Sequence, residues 1–160
     1  MRHTISVLVE NKPGVLARIA GLFSARAFNI DSLAVGETEA ADVSRMTIVV
    51  RGDDRILEQV EKQLNKLPDV IKVADFVNTE YIERDLMMVK VECGPKTRSE
   101  IIEIADIFRA KILDVARDSL IIEMTGDEEK IGALMKLIRP FGIRELVRTG
   151  IVAMARGRKD

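Results

Sequence analysis

The sequence predicts an α+β protein built from two tandem ferredoxin-like (βαββαβ) domains. Three observations point there. Segments with a two-residue apolar period alternate with segments of helical period. The order strand, helix, strand, strand, helix, strand occurs twice along the 160 residues. A polar stretch at 78–85 separates the two copies.

In the first copy, Ile5, Val7 and Val9 alternate with polar neighbours across residues 3–10, a strand signal. Asn11-Lys12-Pro13-Gly14 breaks the pattern. From Val15 the spacing becomes helical, with Leu16, Ile19, Ala20 and Phe23 expected on one face and an end near Ala27. Residues 30–38 suit a strand and 39–42 a turn; Met46, Ile48 and Val50 then alternate up to Arg51-Gly52. Asp53 is placed to cap a helix whose Ile56, Leu57, Val60, Leu64 and Leu67 share a face. Pro68 closes that helix, and 70–77 reads as the fourth strand.

The second copy repeats the plan. Residues 86–93 form a strand, and Thr97 with Glu100 has capping-box spacing ahead of Ile101, Ile104, Ala105 and Phe108. Residues 112–116 and 120–124 read as strands joined through Arg117-Asp118-Ser119. Asp127 caps a helix carrying Ile131, Leu134, Met135 and Ile138, which Pro140 ends. Residues 143–154 supply the last strand, with Gly150 the place for a break. Two helices on one face of an antiparallel sheet is the topology that short, right-handed connections leave. The expected boundaries are 1–78 and 79–160.

Composition narrows the function. Charged residues make up 32% of the chain and the formal net charge is −1. Residues 1–78 hold ten basic and eleven acidic residues, and the remainder fifteen of each. Neither half has the basic excess that phosphate binding requires, so no nucleic-acid partner is expected, and the run Arg156-Gly157-Arg158-Lys159 reads as a solvated tail. A single cysteine, Cys93, fits a reducing compartment. No apolar run approaches the roughly 20 residues that span a bilayer, so no membrane partner is expected. Strand-like sequence begins directly after Met1-Arg2, without a leader pattern, which suggests a cytoplasmic protein.

Catalytic groups are scarce. His3 and Cys93 are the only residues of their kinds, and they form neither a Cys-His motif nor a zinc pattern. No P-loop or dinucleotide glycine fingerprint is present. Glu58, Glu61 and Glu103 fall on polar helix faces, and Asp127 to Glu129 suit a helix start. No catalytic residue and no metal ligand are assigned, and no cofactor of its own is expected.

One junction is suited to a ligand. Pro13 fits the first position of a helix, which would leave the N–H groups of Gly14 and Val15 open at the positive end of the helix dipole. A carboxylate would be favoured there, and Gly14 would let it come close. Asn11 offers a donor and an acceptor. Pro-Gly is equally good turn chemistry. Residues 30–37 are a candidate edge strand; pairing of two copies there would bring Asn29 and Ile30 near the Gly14 loop of the other chain.

The stretches SVLVENKPGVLARIAGLFSARAFNIDSLAVGETE, SRMTIVVRGDD and LEQVEKQLNKLPDVIKV closely resemble the ACT domain of acetolactate (acetohydroxyacid) synthase small subunits. ERDLMMVKVEC and the helix ahead of Ile101 are similar to that family's C-terminal domain. The resemblance implies a non-catalytic regulatory subunit that activates a separate catalytic large subunit. It implies feedback inhibition by a branched-chain amino acid, usually valine, and a homodimer joined through the ACT-domain sheets. Thiamine diphosphate, FAD and Mg would belong to the catalytic partner. The implied ligand residues are Asn11, Pro13, Gly14, Val15, Leu16, Asn29 and Ile30. Ala17 stands where some relatives carry Ser. The competing readings are a stand-alone ACT-domain sensor or transcriptional regulator, which needs a helix-turn-helix or basic surface, and a small ferredoxin-fold enzyme.

Overall fold

The computed structural model describes residues 1–157; Arg158 and Lys159 of the basic tail lie outside them. The chain runs β1 (Arg2–Glu10), α1 (Val15–Ala25), β2 (Asn29–Glu37), β3 (Val43–Arg51), α2 (Asp54–Asn65) and β4 (Val70–Asp75). These strands form an antiparallel sheet in the order β2-β3-β1-β4. Then follow β5 (Tyr81–Glu92), α3 (Arg98–Ile107), β6 (Lys111–Val115), β7 (Ser119–Gly126), α4 (Glu128–Ile138), a 3₁₀ turn (Arg139–Phe141), β8 (Ile143–Arg148) and β9 (Val152–Ala155). Here the order is β6-β7-β5-β8, with β9 pairing to β5 outside that path. Both sheets have the ferredoxin-like strand order the sequence predicts.

Alternation decides which sheet face is covered. Ile5, Val7 and Val9 of β1 join Met46, Ile48 and Val50 of β3 in one core with residues of α1 and α2. Met87, Val89 and Val91 of β5 join Leu120, Ile122 and Met124 of β7 in a second core with α3 and α4. Leu64, Ile101 and Leu134 are fully buried. Truncating such a residue to Ala costs about 2–5 kcal/mol through lost burial and the cavity left behind.

The helix starts separate the expected caps. The Asp53 carboxylate accepts the Ile56 N–H at 3.0 Å, and Asp127 accepts that of Lys130 at 2.9 Å. Thr97 does not form its capping box. Its hydroxyl accepts the Gly94 N–H at 2.9 Å, so the oxygen is turned away from the first turn of α3.

The buried stripe of α1 differs from the expected one. It runs Val15, Ile19, Leu22 and Phe23, while Leu16 is 48% exposed and Ala20 lies outside the core. Both stripes are apolar at helical spacing, and only packing chooses between them. The polar stretch at 78–85 is also not a simple connection, because β5 starts at Tyr81. Tyr81 stacks on Phe76 with ring centroids 4.8 Å apart, and Asp85 is buried and accepts from Arg148 Nε at 2.9 Å. Arg148 lies 63 residues along the chain from Asp85, where no local period reports it.

The fold divides into two compact units, Met1–Ile82 with the segment from Ile151, and Glu83–Gly150. Ile151 is 2% exposed and its N–H donates to Ser32 Oγ at 2.8 Å. The Arg156 N–H donates to the Glu80 carbonyl at 2.9 Å. The break around Gly150, where φ is +88°, thus returns the chain to the first unit.

Glu61, expected on a solvated helix face, is half-buried and lies beside the Asp75 carboxylate. Burial, then its hydrogen bond to Asp75 and the charges of Asp75 and Glu58, push its carboxyl up from 4.5 to about 7. The folded form therefore holds a proton that the unfolded chain has released between those values, so stability falls as pH rises through that window. Glu61→Gln should keep the hydrogen bond without the charge. Its unfolding midpoint is expected to exceed that of the parent by a few degrees at pH 8 and to match it near pH 5 in a thermal melt.

Candidate functional site

The ligand-suited junction folds as a turn followed by a helix. Lys12 to Val15 form a β-turn in which Lys12 O accepts the Val15 N–H at 3.5 Å. Gly14 sits at φ +89° and ψ −12°, the third position of a type II turn, with Pro13 before it. Pro13 is therefore a turn residue rather than the first residue of α1, because the left-handed Gly14 stands between them. The open amides differ from expectation for the same reason. Val15 N–H is engaged by the turn, and Arg18 N–H makes the first helical bond, to Gly14 O at 3.0 Å. The N–H groups of Gly14, Leu16 and Ala17 have no protein acceptor among the described residues. No side chain caps α1, and its first turn carries no acidic residue.

The other predicted residues divide into two places. Asn11 is exposed, but its Nδ2 donates to Glu37 Oε1 at 3.1 Å and to Ala41 O at 2.9 Å. Its donors hold the β2–β3 turn, which leaves Oδ1 as its available group. Val15 is 3% exposed and belongs to the core, whereas Leu16 faces out. Asn29 and Ile30 open β2, level with Arg51 and Val50, whereas Glu37 at the other end pairs with Ser44. Eight strand steps, roughly 27 Å, separate the two ends. One chain alone does not bring Asn29 and Ile30 to the Gly14 loop.

Charge fixes the loop. Asp69, nearly buried ahead of β4, accepts from Lys12 Nζ at 3.0 Å and Arg18 Nε at 2.6 Å, while its carbonyl accepts the Glu10 N–H at 2.9 Å. Lys12 also meets Glu10 Oε2 at 2.8 Å. Sequence reasoning overlooked Asp69 and Arg18. They stand 51 residues apart, and nothing in the local pattern around Pro68 sets this carboxylate apart from the many others.

Elsewhere, His3 is buried, with Nε2 3.9 Å from Asp54 Oδ1 and without a hydrogen-bond partner among the described residues. Cys93 is a buried free thiol. Among the described residues no three His, Cys, Asp or Glu side chains are placed to hold a metal ion, and no helix is long and apolar enough to cross a membrane.

Comparison with known proteins covers both halves. Residues 5–72 match the profile of the AHAS small subunit-like ACT domain, and residues 84–157 that of the small subunit of acetolactate synthase. A probable acetolactate synthase small subunit from Archaeoglobus fulgidus is 60% identical over 159 residues, 99% of each chain. The chain belongs to the acetolactate synthase small subunit family. Another family member, from Mycolicibacterium smegmatis, is 54% identical over 97% of this chain and 91% of its own. The crystal structure of the Thermotoga maritima acetolactate synthase small subunit superposes with a TM-score of 0.90 at 42% identity, covering 99% of both chains. The ACT-domain match at 5–72 includes the Asn11–Leu16 junction.

The hydrogen bond from Lys12, more than the one from Arg18, holds the Asp69 carboxyl below its ordinary 3.8 despite its burial. The stability this contributes is present above that ordinary value and is lost as pH falls through the lower folded value. Asp69→Asn should lower the unfolding midpoint by a few degrees at pH 7. The gap from the parent should narrow as pH falls below 3.8, as thermal melts would register.

Proposed function

We propose that this chain is the regulatory small subunit of a cytoplasmic acetolactate synthase, activating a catalytic large subunit and conferring feedback inhibition by valine or another branched-chain amino acid. Residues 1–78 would sense the amino acid and join two copies, and 79–160 would form the C-terminal domain. Thiamine diphosphate, FAD and Mg would stay with the large subunit. The observation that carries the reading is the full-length family match combined with three open amides at the start of α1.

The effector would sit between two copies. β2 is an edge strand of its sheet. Leu33 and Val35 on it are 36% and 48% exposed, and Leu16 of α1 also faces out. Exposed apolar residues along an unpaired edge favour strand addition. Antiparallel pairing of two β2 strands centred on Leu33 would set Asn29 of one copy opposite Glu37 of the other, the residue that holds Asn11. The two separated groups of candidate residues would then line one site. The ligand carboxylate would accept the amides of α1 and its ammonium would reach Asn11 Oδ1. The amino acid would act by favouring one arrangement of the pair over another, and so altering contacts with the catalytic chain.

Acetolactate formation by the cognate catalytic chain should rise on adding this protein and fall again with valine; no change in either step would remove the reading. Gly14→Asp should weaken the valine response at least about tenfold, since like charges at 4 Å repel by roughly 4 kcal/mol at an effective dielectric near 20. An inhibition curve unaltered by that substitution would remove the site. Val35→Lys should convert dimer to monomer in sedimentation runs while leaving the unfolding midpoint near the parent's. A dimer that survives it would place the pairing elsewhere.

A further inference from the structure

We infer that Arg18 reads the carboxylate of the amino acid bound at the start of α1, with Asp69 as its positioning residue; this rests on the effector-site reading above. Arg18 lies in the first turn of the helix, four residues after Gly14, and helical side chains lean toward the N-terminus. Its Nε donates to Asp69 Oδ2 at 2.6 Å, which uses one edge of the guanidinium and sets the direction of the plane. Its Nη1 and Nη2 donate to no protein acceptor among the described residues. Nη1 lies 3.3 Å from the point where a Cβ on residue 14 would stand.

The free edge of the guanidinium, on a side chain 48% exposed, thus lies beside Gly14, whose amide is open together with those of Leu16 and Ala17. Together they form a donor set for one carboxylate, whose two oxygens accept up to four hydrogen bonds. Glycine at position 14 serves two ends here: it adopts φ +89°, and it leaves the gap beneath Arg18 open. Lysine would bring the charge without the fixed edge. Asn11 Oδ1, its amide donors spent, is left to accept an ammonium. The site therefore suits a zwitterionic α-amino acid and disfavours the 2-oxo acid of the same side chain.

The test is calorimetric titration of the full chain with L-valine and with L-valinamide, which lacks the carboxylate. Arg18→Gln is expected to bind L-valine about tenfold or more weakly while holding valinamide within about twofold of the parent. Asp69→Asn should lose about threefold in the same carboxylate-selective way. Equal weakening toward both ligands, or Arg18→Gln binding L-valine as the parent does, would overturn the assignment. Loss of valine binding in Gly14→Asp but not in Arg18→Gln would leave the effector site standing and remove only Arg18. A parent chain that binds no L-valine would remove both.

Discussion

Asp69 takes up groups that would otherwise leave the β1–α1 loop without a fixed shape. Its carboxylate accepts from Lys12 and Arg18, and its carbonyl accepts the amide of Glu10. One residue ahead of β4 therefore ties together the end of β1, the turn and the first turn of α1. An ion pair open to water contributes little by itself, but two cations and a backbone bond on one nearly buried residue specify a geometry. The type II turn at Gly14 needs that support, because it ends the strand abruptly and starts a helix with no capping side chain. Amides that a Ser or Asp would ordinarily satisfy are left open.

The corresponding junction of the second unit is built to a different end. Thr97 satisfies the Gly94 amide, and Arg98 donates through Nη2 to the carbonyls of Ala116 and Arg117, pinning the β6–β7 turn. In the first unit the arginine at the matching helix start goes to a carboxylate and keeps its outer edge free. Two copies of one topology thus spend the arginine at this junction differently, one on the carbonyls of a turn and the other on a carboxylate. A fold carries sites but does not supply them.

Most of the architecture was legible because it rests on local period. Ile5, Val7 and Val9, or Ile131, Leu134 and Ile138, announce a strand face and a helix stripe without reference to anything distant. Asp53 and Asp127 were legible as caps because they bond three residues ahead. What escaped depends on partners remote in sequence. The Leu16 stripe looked as apolar as the Val15 stripe, and only the sheet distinguishes them. Tyr81 to Asp85 looked like a polar connection because Arg148, the partner of Asp85, was not visible. Glu61 looked solvated because the Asp75 carboxylate beside it sits on another element. The Gly14 loop was found from its residue types, but its turn class moved the open amides along by a residue or two. Arg18 and Asp69, which shape it, gave no local signal.

The return of the chain at Gly150 has a bearing on synthesis. The first unit holds Ile151 and β9, yet Glu83–Gly150 lies between them and the rest of it. On a ribosome, β1 through β4 emerge well before the residues that satisfy the Ser32 hydroxyl and the Glu80 carbonyl. The leading half must wait for these partners while 68 residues of intervening chain are made and folded. The unit first translated is thus the last to be finished, and a nascent chain halted before Ile151 would present it without the segment that packs onto it.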